Sequence, residues 1–473
     1  MTEAKKDLKE KTSSDGQDVD QSKRNFLKLG IAGAGIAATA AAGGTFISHK
    51  LEGTPMDDIV ASDQFAKDFK PLDQRQVILT FATSRALAAK HPERTEVYNR
   101  TRRKENPNHK DLNFQQGFLG FGKQPPRRDT GYTQLEKALE HAGWAPENFL
   151  AFGEAAGRPR AGALGWSQEH VAKNQYKFSS RQEATQAIKS AARLFGAYSC
   201  GIARHDPRFD YDPIYDSFED KTLSWEKDFP FKPKSVIVML WEMDYHAIAT
   251  APAYPASAAA AEGYSQQVKG AVQLKTFLQG LGYQAVGAGN DLGISTAYAI
   301  LAGLAEGARN GSVIAPKIGC RLRISKVYTD FDFVEYGQPR DFGVNSFCQQ
   351  CKRCATACPS QAISHDDKPS LYPTYSDDPD YTWNNHQGIY KFHNDAKKCF
   401  NFWITNDGDC CNCIAACPYN KPDYWHHRFV DAQNVIAPSW IHRIMREFDI
   451  IFGYGKVAAP EKVKYFWRTG RKI

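Results

Sequence analysis

The middle of the chain carries the clearest alternation of apolar and polar positions, over residues 176–335. Helical stripes with a spacing of three to four residues are separated there by short apolar or alternating runs. The predicted elements are a capped helix from Ser180 to Gly196, a buried strand at 235–240, a helix over 268–281 closed by Gly282, a strand at 283–286, a helix over 295–308 and a strand at 321–328. This succession predicts a mixed α/β or α+β core.

The segments on either side of this core have weaker patterns. Residues 43–175 are rich in charge, proline, glycine and aromatic residues, and they suggest one helix, at 132–143. We interpret this region as an irregular layer that covers the core. Residues 426–473 are aromatic and basic with a helical patch at 439–452, and we expect this tail to pack back on the core.

The first 42 residues have the parts of an export signal. A basic stretch at 22–28 precedes a weakly apolar run rich in alanine and glycine, which is shorter than the roughly 20 residues that a spanning helix needs. The sequence KRNFLK is similar to a twin-arginine signal, with Lys23 at the position of the first arginine. The alternative is an uncleaved N-terminal helix.

Length and charge narrow the range of functions. The chain has 473 residues, more than one core usually holds, so we expect two or more domains. A net charge of +7 spread over this length is a mild excess, and no run of lysine and arginine indicates nucleic-acid binding.

Nine of the eleven cysteines lie between Cys348 and Cys417, and their spacing is regular. The first motif is Cys348-x2-Cys351-x2-Cys354-x3-Cys358-Pro359, which is the complete run of a bacterial ferredoxin. The second is Cys399-x10-Cys410-x2-Cys413-x3-Cys417-Pro418. In such runs the fourth cysteine binds the other cluster, so residues 336–425 are predicted to form a ferredoxin-like domain with two [4Fe–4S] clusters.

The crossed ligation gives two sets of ligands. Cluster 1 takes Cys348, Cys351, Cys354 and Cys417, and cluster 2 takes Cys358, Cys399, Cys410 and Cys413. Cys411 is left over, because adjacent side chains point apart. The alternative is one or two zinc sites, which CxxC spacing also supports.

From Tyr176 to the tail, the sequence resembles the corrinoid-dependent reductive dehalogenases. The stretches that carry the resemblance are FKPKSVIVML, TAPAYPASAAAAEGYS, FLQGLGYQAVGAGND, ISTAYAILAGLAEGARNG, RLRISKVYTDFDF and the two cysteine motifs. The resemblance implies an α+β fold, with a nitroreductase-like corrinoid-binding core followed by the ferredoxin-like domain. It also implies a base-off corrinoid and the reaction R–X + 2e⁻ + H⁺ → R–H + X⁻.

The resemblance also implies three catalytic residues. Tyr264 of the GYS element is the expected proton donor, Asn290 of the GN element its hydrogen-bonding partner, and Arg323 the cation that favours the tyrosinate. Each has an ordinary structural alternative, namely packing, a turn and a solvent-facing arginine. Trp166 and Trp403 could form walls of the pocket, and Cys320 is expected to be a core residue.

Members of the family act on the outer face of the cytoplasmic membrane, so the resemblance implies an exported, peripheral protein. It implies a small membrane-anchor protein and an upstream electron donor as partners, and an organohalide as substrate. Two other functions stay open, an enzyme similar to the epoxyqueuosine reductases and an exported two-cluster ferredoxin. Corrinoid in the purified protein would distinguish the ferredoxin from the dehalogenase.

Overall fold

The computed structural model describes residues 53–91, 129–147, 150, 164–216, 219–378, 384–422 and 454–469, with positions 442, 446–447 and 449–451. The predicted signal at 1–42 lies outside the described residues, as does most of the helical patch predicted at 439–452. Within the described part, no helix combines the length and apolar character that crossing a bilayer requires.

The elements up to the central helix are α1 (Met56–Val60), α2 (Ile78–Thr83), α3 (Arg85–Lys90), α4 (Gln134–Glu147), α5 (Arg181–Leu194), β1 (Ser199–Arg204), β2 (Ile214–Asp216), β3 (Lys221–Leu223), β4 (Ser235–Glu242), α6 (Tyr245–Ile248) and α7 (Tyr254–Gly280). They are followed by β5 (Ala285–Ala288), α8 (Ser295–Leu301), β6 (Glu306–Gly307), β7 (Val313–Ile314), β8 (Leu322–Thr329), α9 (Val344–Cys351), α10 (Arg353–Thr356), α11 (Ala396–Asn406), α12 (Asn412–Ala415) and α13 (Pro460–Thr469). Single 3₁₀ turns lie at Gln74–Gln76 and Pro207–Phe209.

A four-stranded antiparallel sheet in the order β1-β4-β8-β5 forms the centre of the core. Side chains of a strand alternate between its two faces, and β4 is buried on both. Its residues Val236, Val238 and Leu240 pack with α8 on one face, whereas Ile237, Met239 and Trp241 pack with α5 and α7 on the other. Helices on both faces of an antiparallel sheet make the core an α+β arrangement; its nitroreductase-like character stays a prediction.

The long helix α7 lies directly against this sheet. At Gly270 a Cβ atom would be 2.0 Å from the Trp241 ring, so the absence of a side chain permits the close approach. The indole of Trp241 is fully buried and donates a hydrogen bond to Ser325 Oγ at 2.8 Å. Helix and sheet are therefore held at a fixed distance along the face that carries Arg323.

Several sequence predictions are confirmed with small shifts of their ends. Ser180 accepts a hydrogen bond from the amide of Glu183, whose carboxylate accepts one from the amide of Ser179, so α5 begins with its caps in place. The strands predicted at 235–240 and 321–328 are β4 and β8, and the helix predicted at 132–143 is α4.

Two helix boundaries were predicted wrongly. Helix α7 begins at Tyr254, fourteen residues before the predicted start, because its alanine-rich first half is buried all round and shows no amphipathic stripe. Helix α8 ends at Leu301, since Gly303 takes a positive φ of 70° and the chain then enters β6. The described residues of the covering region include three further short helices, α1 to α3, which the sequence pattern did not indicate.

Candidate active site and cluster-binding motifs

Tyr264 lies in the middle of α7, on the side that meets β8. The preceding residue is Gly263, where a Cβ atom would be 2.9 Å from Cγ of Arg323. The glycine therefore lets the arginine side chain run alongside the helix backbone. Arg323 is on the α7 face of β8, opposite Trp241 of β4, and its guanidinium lies 4.5 Å from the centroid of the Tyr264 ring.

Asn290 reaches the same tyrosine from the turn after β5. Its Nδ2 donates a hydrogen bond to the Tyr264 hydroxyl at 3.3 Å. The turn is fixed because the Gly289 amide donates to Asp291 Oδ1 at 2.8 Å and Lys326 Nζ donates to the Gly289 carbonyl at 2.5 Å. The structure thus brings Tyr264, Asn290 and Arg323 together from three separate segments.

The surroundings of Tyr264 act on its acidity in opposite directions. Burial raises the pKa of the phenol above its usual value of about 10, and the positive charge of Arg323 opposes that rise. The phenol is therefore protonated at neutral pH. The adjacent cation stabilises the tyrosinate that would remain after the proton has left.

Three further residues surround the tyrosine that sequence reasoning missed. Trp144 of α4 stacks on Tyr264, with ring centroids 5.1 Å apart and an angle of 17° between the planes. Glu147, at the end of α4, and Asp409 interact electrostatically with Arg323. The only signal in the sequence was the position of Asp409 directly before Cys410.

The two carboxyl groups are unusual acids. Burial, and next the neighbouring Asp409, raise the pKa of Glu147 to about 8. Burial raises the pKa of Asp409 to about 6, against the opposing effect of Arg323. At neutral pH, Glu147 is therefore largely protonated and has a proton available close to the tyrosine.

Ser265, which follows Tyr264 in α7, hydrogen-bonds helix α4 and fixes it over the tyrosine. The Ser265 hydroxyl donates to the Gly143 carbonyl at 2.6 Å and accepts from the Glu147 amide at 3.1 Å. At Gly143 a Cβ atom would be 2.9 Å from the Ala258 carbonyl oxygen, so the two helices are in close contact. These contacts fix Trp144 and Glu147 relative to the phenol.

A buried ionic network positions the loop that carries Asp409. Lys137 Nζ lies 2.8 Å from Glu140 Oε2 and 3.2 Å from Asp407 Oδ2. The Tyr254 hydroxyl donates to the same Asp407 oxygen at 3.0 Å. The network holds residues 407–409 against α4 and α7, directly before Cys410 of the second cysteine motif.

A large cavity lies in front of Tyr264 and Asn290. Its volume is about 1390 Å³, larger than the 300–1,000 Å³ that is typical of small-molecule sites. Trp166 and Trp403 line it, as hypothesised from the sequence, and so do Glu147, Asp409 and Cys399. Arg323 is not among the lining residues and lies behind the tyrosine.

Amide side chains are frequent in the cavity wall. Among the described residues that line the cavity, ten are asparagine or glutamine, including Gln267, Asn310, Asn345 and Asn394. The Oε1 atom of Gln267 is buried without a hydrogen-bond partner in the described part of the chain. Because an amide both donates and accepts, such a wall suits a large ligand that itself carries amides.

The two cysteine motifs fold in the same way. Lys352 follows Cys351 and Cys411 follows Cys410, and both take a left-handed conformation with φ of 55° before one turn of helix. Those turns, α10 and α12, carry the next cysteine of each motif, Cys354 and Cys413. The local repeat in sequence is therefore a repeat in structure.

The cysteines predicted for cluster 1 surround one small cavity. Cys348, Cys351, Cys354 and Cys417 all line it, together with Arg309. Cys358, Cys399 and Cys413 of the second set share a hydrophobic cluster, and Cys410 interacts electrostatically with Cys413 and Cys399. Cys411 points elsewhere and approaches the Ala256 carbonyl of α7 at 3.7 Å.

These buried thiols need a positively charged partner before they can act as thiolate ligands. Burial raises the pKa of the Cys351, Cys399 and Cys413 thiols to about 12, and neighbouring thiolates add to the rise. Iron supplies the positive charge that stabilises such thiolates. Among the described residues, no three histidine, cysteine or acidic side chains form a site for a single metal ion. Cys320 is buried, and its thiol interacts electrostatically with Cys417.

Comparison with known proteins decides the family. A family model described as a 4Fe–4S dicluster domain matches residues 347–421. A tetrachloroethene reductive dehalogenase of Desulfitobacterium hafniense is 34% identical, over 76% of this chain and 77% of that protein. The chain belongs to the reductive dehalogenases. It is an iron–sulfur oxidoreductase that acts on carbon–halogen bonds.

Solved reductive dehalogenases share the fold. A catabolic reductive dehalogenase in complex with 3-bromo-4-hydroxybenzoic acid matches with a TM-score of 0.59 and 18% identity, over 85% of this chain and 48% of that one. A second, whose structure suggests a mechanism for B12-dependent dehalogenation, matches with a TM-score of 0.55 and 23% identity, over 70% and 45%. The chain thus spans about half the length of these solved structures.

Proposed function

We propose that this reductive dehalogenase removes halide from an organohalide at a corrinoid cobalt that receives electrons through two [4Fe–4S] clusters. The observation that carries the proposal is the convergence of Tyr264, Asn290 and Arg323 beside a cavity that also reaches Cys399. A proton donor and an electron route therefore meet at one cavity. The exported ferredoxin alternative gives that cavity no role.

The cavity wall fits a corrinoid. A corrin ring carries amide groups around its edge, and an amide of the wall such as Gln267, whose buried Oε1 has no hydrogen-bond partner among the described residues, can pair with them. When bound, the cobalt supplies the two-electron chemistry that breaks the carbon–halogen bond. We propose the base-off form, in which the lower base of the corrinoid is detached.

The residues of the chain supply and control the proton. The reaction R–X + 2e⁻ + H⁺ → R–H + X⁻ consumes one proton, which the Tyr264 hydroxyl holds at neutral pH. Arg323 stabilises the tyrosinate left behind, and the hydrogen bond from Asn290 fixes the phenolic oxygen. Trp144, Trp166 and Trp403 place apolar surface around the phenol and the space in front of it, which disfavours water there.

The two ligand sets define the order of electron transfer. The ligands of cluster 1, which are Cys348, Cys351, Cys354 and Cys417, line the small cavity. Cluster 1 is therefore the cluster distal to the reaction. Cluster 2 has Cys358, Cys399, Cys410 and Cys413 as its ligands. Because Cys399 lines the large cavity, cluster 2 is proximal to the reaction.

The place of action and the partners are proposed by analogy with the family. We propose export by the twin-arginine-like signal to the outer face of the cytoplasmic membrane, where the enzyme performs the last step of anaerobic organohalide respiration. A small membrane-anchor protein and an upstream donor complete the route of electrons. The relative of Desulfitobacterium hafniense makes tetrachloroethene the first organohalide to assay.

Substitution of the proton donor tests this function. Tyr264→Phe removes only the hydroxyl, so clusters and corrinoid should be retained while halide release falls roughly 10²–10⁴-fold, the usual contribution of a general acid. Tyr283→Phe is the matched control, since it removes a hydroxyl that binds the Tyr176 carbonyl far from the cavity. Full activity of Tyr264→Phe would refute the proton-donor role.

A further inference from the structure

A buried arginine borders the small cavity of cluster 1. Arg309 lies between β6 and β7 and is only 1% exposed. Its guanidinium donates to three backbone carbonyls, from Nε to Cys348 at 3.0 Å and from Nη1 to Ser364 and Asp366 at 2.8 Å each. The ring of Phe392 lies 3.8 Å from the guanidinium carbon and supports one face of the group.

The positive charge of Arg309 is not matched by a direct ion pair. In the described part of the chain, no carboxylate lies within ion-pairing distance, and Nη2 is buried without a hydrogen-bond partner. The Asp366 carboxylate instead accepts from Ser364 and Thr374. Leaving a cation buried and unpaired is costly, so the site calls for a negative partner.

The cysteines that line the same small cavity can provide that partner. Arg309 shares the lining of the small cavity with Cys348, Cys351, Cys354 and Cys417, and it interacts electrostatically with the first three. Four thiolates around a [4Fe–4S] core leave a net negative charge. The unpartnered Nη2 atom is therefore able to donate a hydrogen bond to a cluster at this position.

We infer that Arg309 is the positioning residue of cluster 1, that its Nη2 donates a hydrogen bond to a sulfur of the cluster, and that its charge raises the reduction potential of that cluster. Reduction adds one electron, and a fixed cation beside the cluster favours the more negative state. Hydrogen bonds to the sulfurs and local charge are recognised determinants of cluster potential. The inference rests on the cluster ligation proposed above and is independent of the dehalogenation step.

A nearby lysine provides the matched control. Lys352 borders the same small cavity, but its ammonium is paired with Asp367 at 2.6 Å near the surface. Solvent and the carboxylate screen this charge from the cluster. Lys352→Gln therefore removes one positive charge from the same neighbourhood without removing the buried one.

The experiment is a potentiometric titration of the purified, cluster-loaded full chain, followed by electron paramagnetic resonance. In Arg309→Gln, one of the two midpoints should become more negative, so that the ratio of reduced to oxidised cluster at fixed potential falls roughly tenfold, or ~59 mV for a one-electron couple. The second midpoint should stay in place. Lys352→Gln should leave both midpoints near their wild-type values.

Two results would overturn the inference. Arg309→Gln with full iron content and unchanged midpoints would mean that the charge does not reach the cluster. If Arg309→Gln loses a cluster, Arg309→Lys is the deciding variant. A lysine variant that keeps both clusters, with a midpoint near the wild-type value, supports the role of the charge. A lysine variant that also loses a cluster means that the arginine serves only to bind the three backbone carbonyls. Neither result tests the proposed dehalogenation. A wild-type protein with fewer than two clusters would refute the assignment of the cluster ligands.

Discussion

The contribution of Arg323 to proton transfer can be predicted from its distance to Tyr264. With the 4.5 Å between the guanidinium carbon and the centroid of the ring taken as the separation of charge, and an effective dielectric constant of about 20, a full positive charge stabilises a full negative charge by about 4 kcal/mol. A factor of ten in an ionisation equilibrium corresponds to about 1.4 kcal/mol, so the loss of this charge in Arg323→Gln should make the phenol a much weaker acid, with its pKa raised further above the usual value. The proton donor remains protonated but becomes a weaker acid.

A weaker acid slows the step that consumes the proton. The rate follows only part of the change in acidity, so halide release by Arg323→Gln should fall by between about 10-fold and several hundred-fold. Single-turnover halide release from the reduced protein measures this step, after iron and cobalt contents have been matched to wild type. Arg323→Lys keeps the charge and should retain more activity than Arg323→Gln.

A double-mutant cycle separates an effect on Tyr264 from an effect on folding. If Arg323 acts through the phenol, Arg323→Gln should cost little more once Tyr264→Phe has removed the hydroxyl. Multiplicative losses in the double variant would refute the reasoning. Equal rates for Arg323→Gln and wild type, with cofactors intact, would refute it as well.

Three other predictions concern stability and cofactor content. Because the pKa of Glu147 is raised to about 8, the folded state keeps a proton that the unfolded state releases near pH 4.5, and stability falls as the pH rises between these values. Glu147→Gln should therefore flatten the decline of Tm from pH 5 to 8, whereas Glu183→Gln, exposed at the start of α5, should not. Cys399→Ala should lose about four irons per chain by metal analysis, while Cys411→Ala should keep all of them; the reverse pattern would overturn the ligand assignment. Gly270→Ala places a methyl group against the Trp241 ring and should lower the free energy of unfolding by about 1–3 kcal/mol in denaturant titrations, and an unchanged value would mean that helix and sheet separate freely.

The sequence could predict those parts of the molecule that have a local pattern. The amphipathic helix α5 and the strands β4 and β8 have clear periodicity, and the cysteine runs have fixed spacing. The first half of helix α7 was not predicted, because Ala256–Ala261 is buried on all sides and has no polar face. Burial by tertiary packing therefore removed the very signal on which the prediction relied.

The residues of the candidate site were likewise predicted only in part. Tyr264, Asn290 and Arg323 were identified by resemblance, and the fold brings them together although no periodicity links them. Trp144, Glu147 and Arg309 were missed, since each acquires its environment only when distant segments meet. The stacking of Trp144 on Tyr264, for example, depends on the glycine contact between α4 and α7 at Gly143.

The most direct test of the account is a combined measurement on anaerobically reconstituted protein. Metal analysis should give about eight irons and one cobalt per chain, and the same sample should release chloride from tetrachloroethene or another organohalide of a panel when reduced viologen is the donor. About eight irons without cobalt, and no halide from any member of the panel, would contradict the account. The chain would then be an electron carrier, and Tyr264, Asn290 and Arg323 would be structural residues.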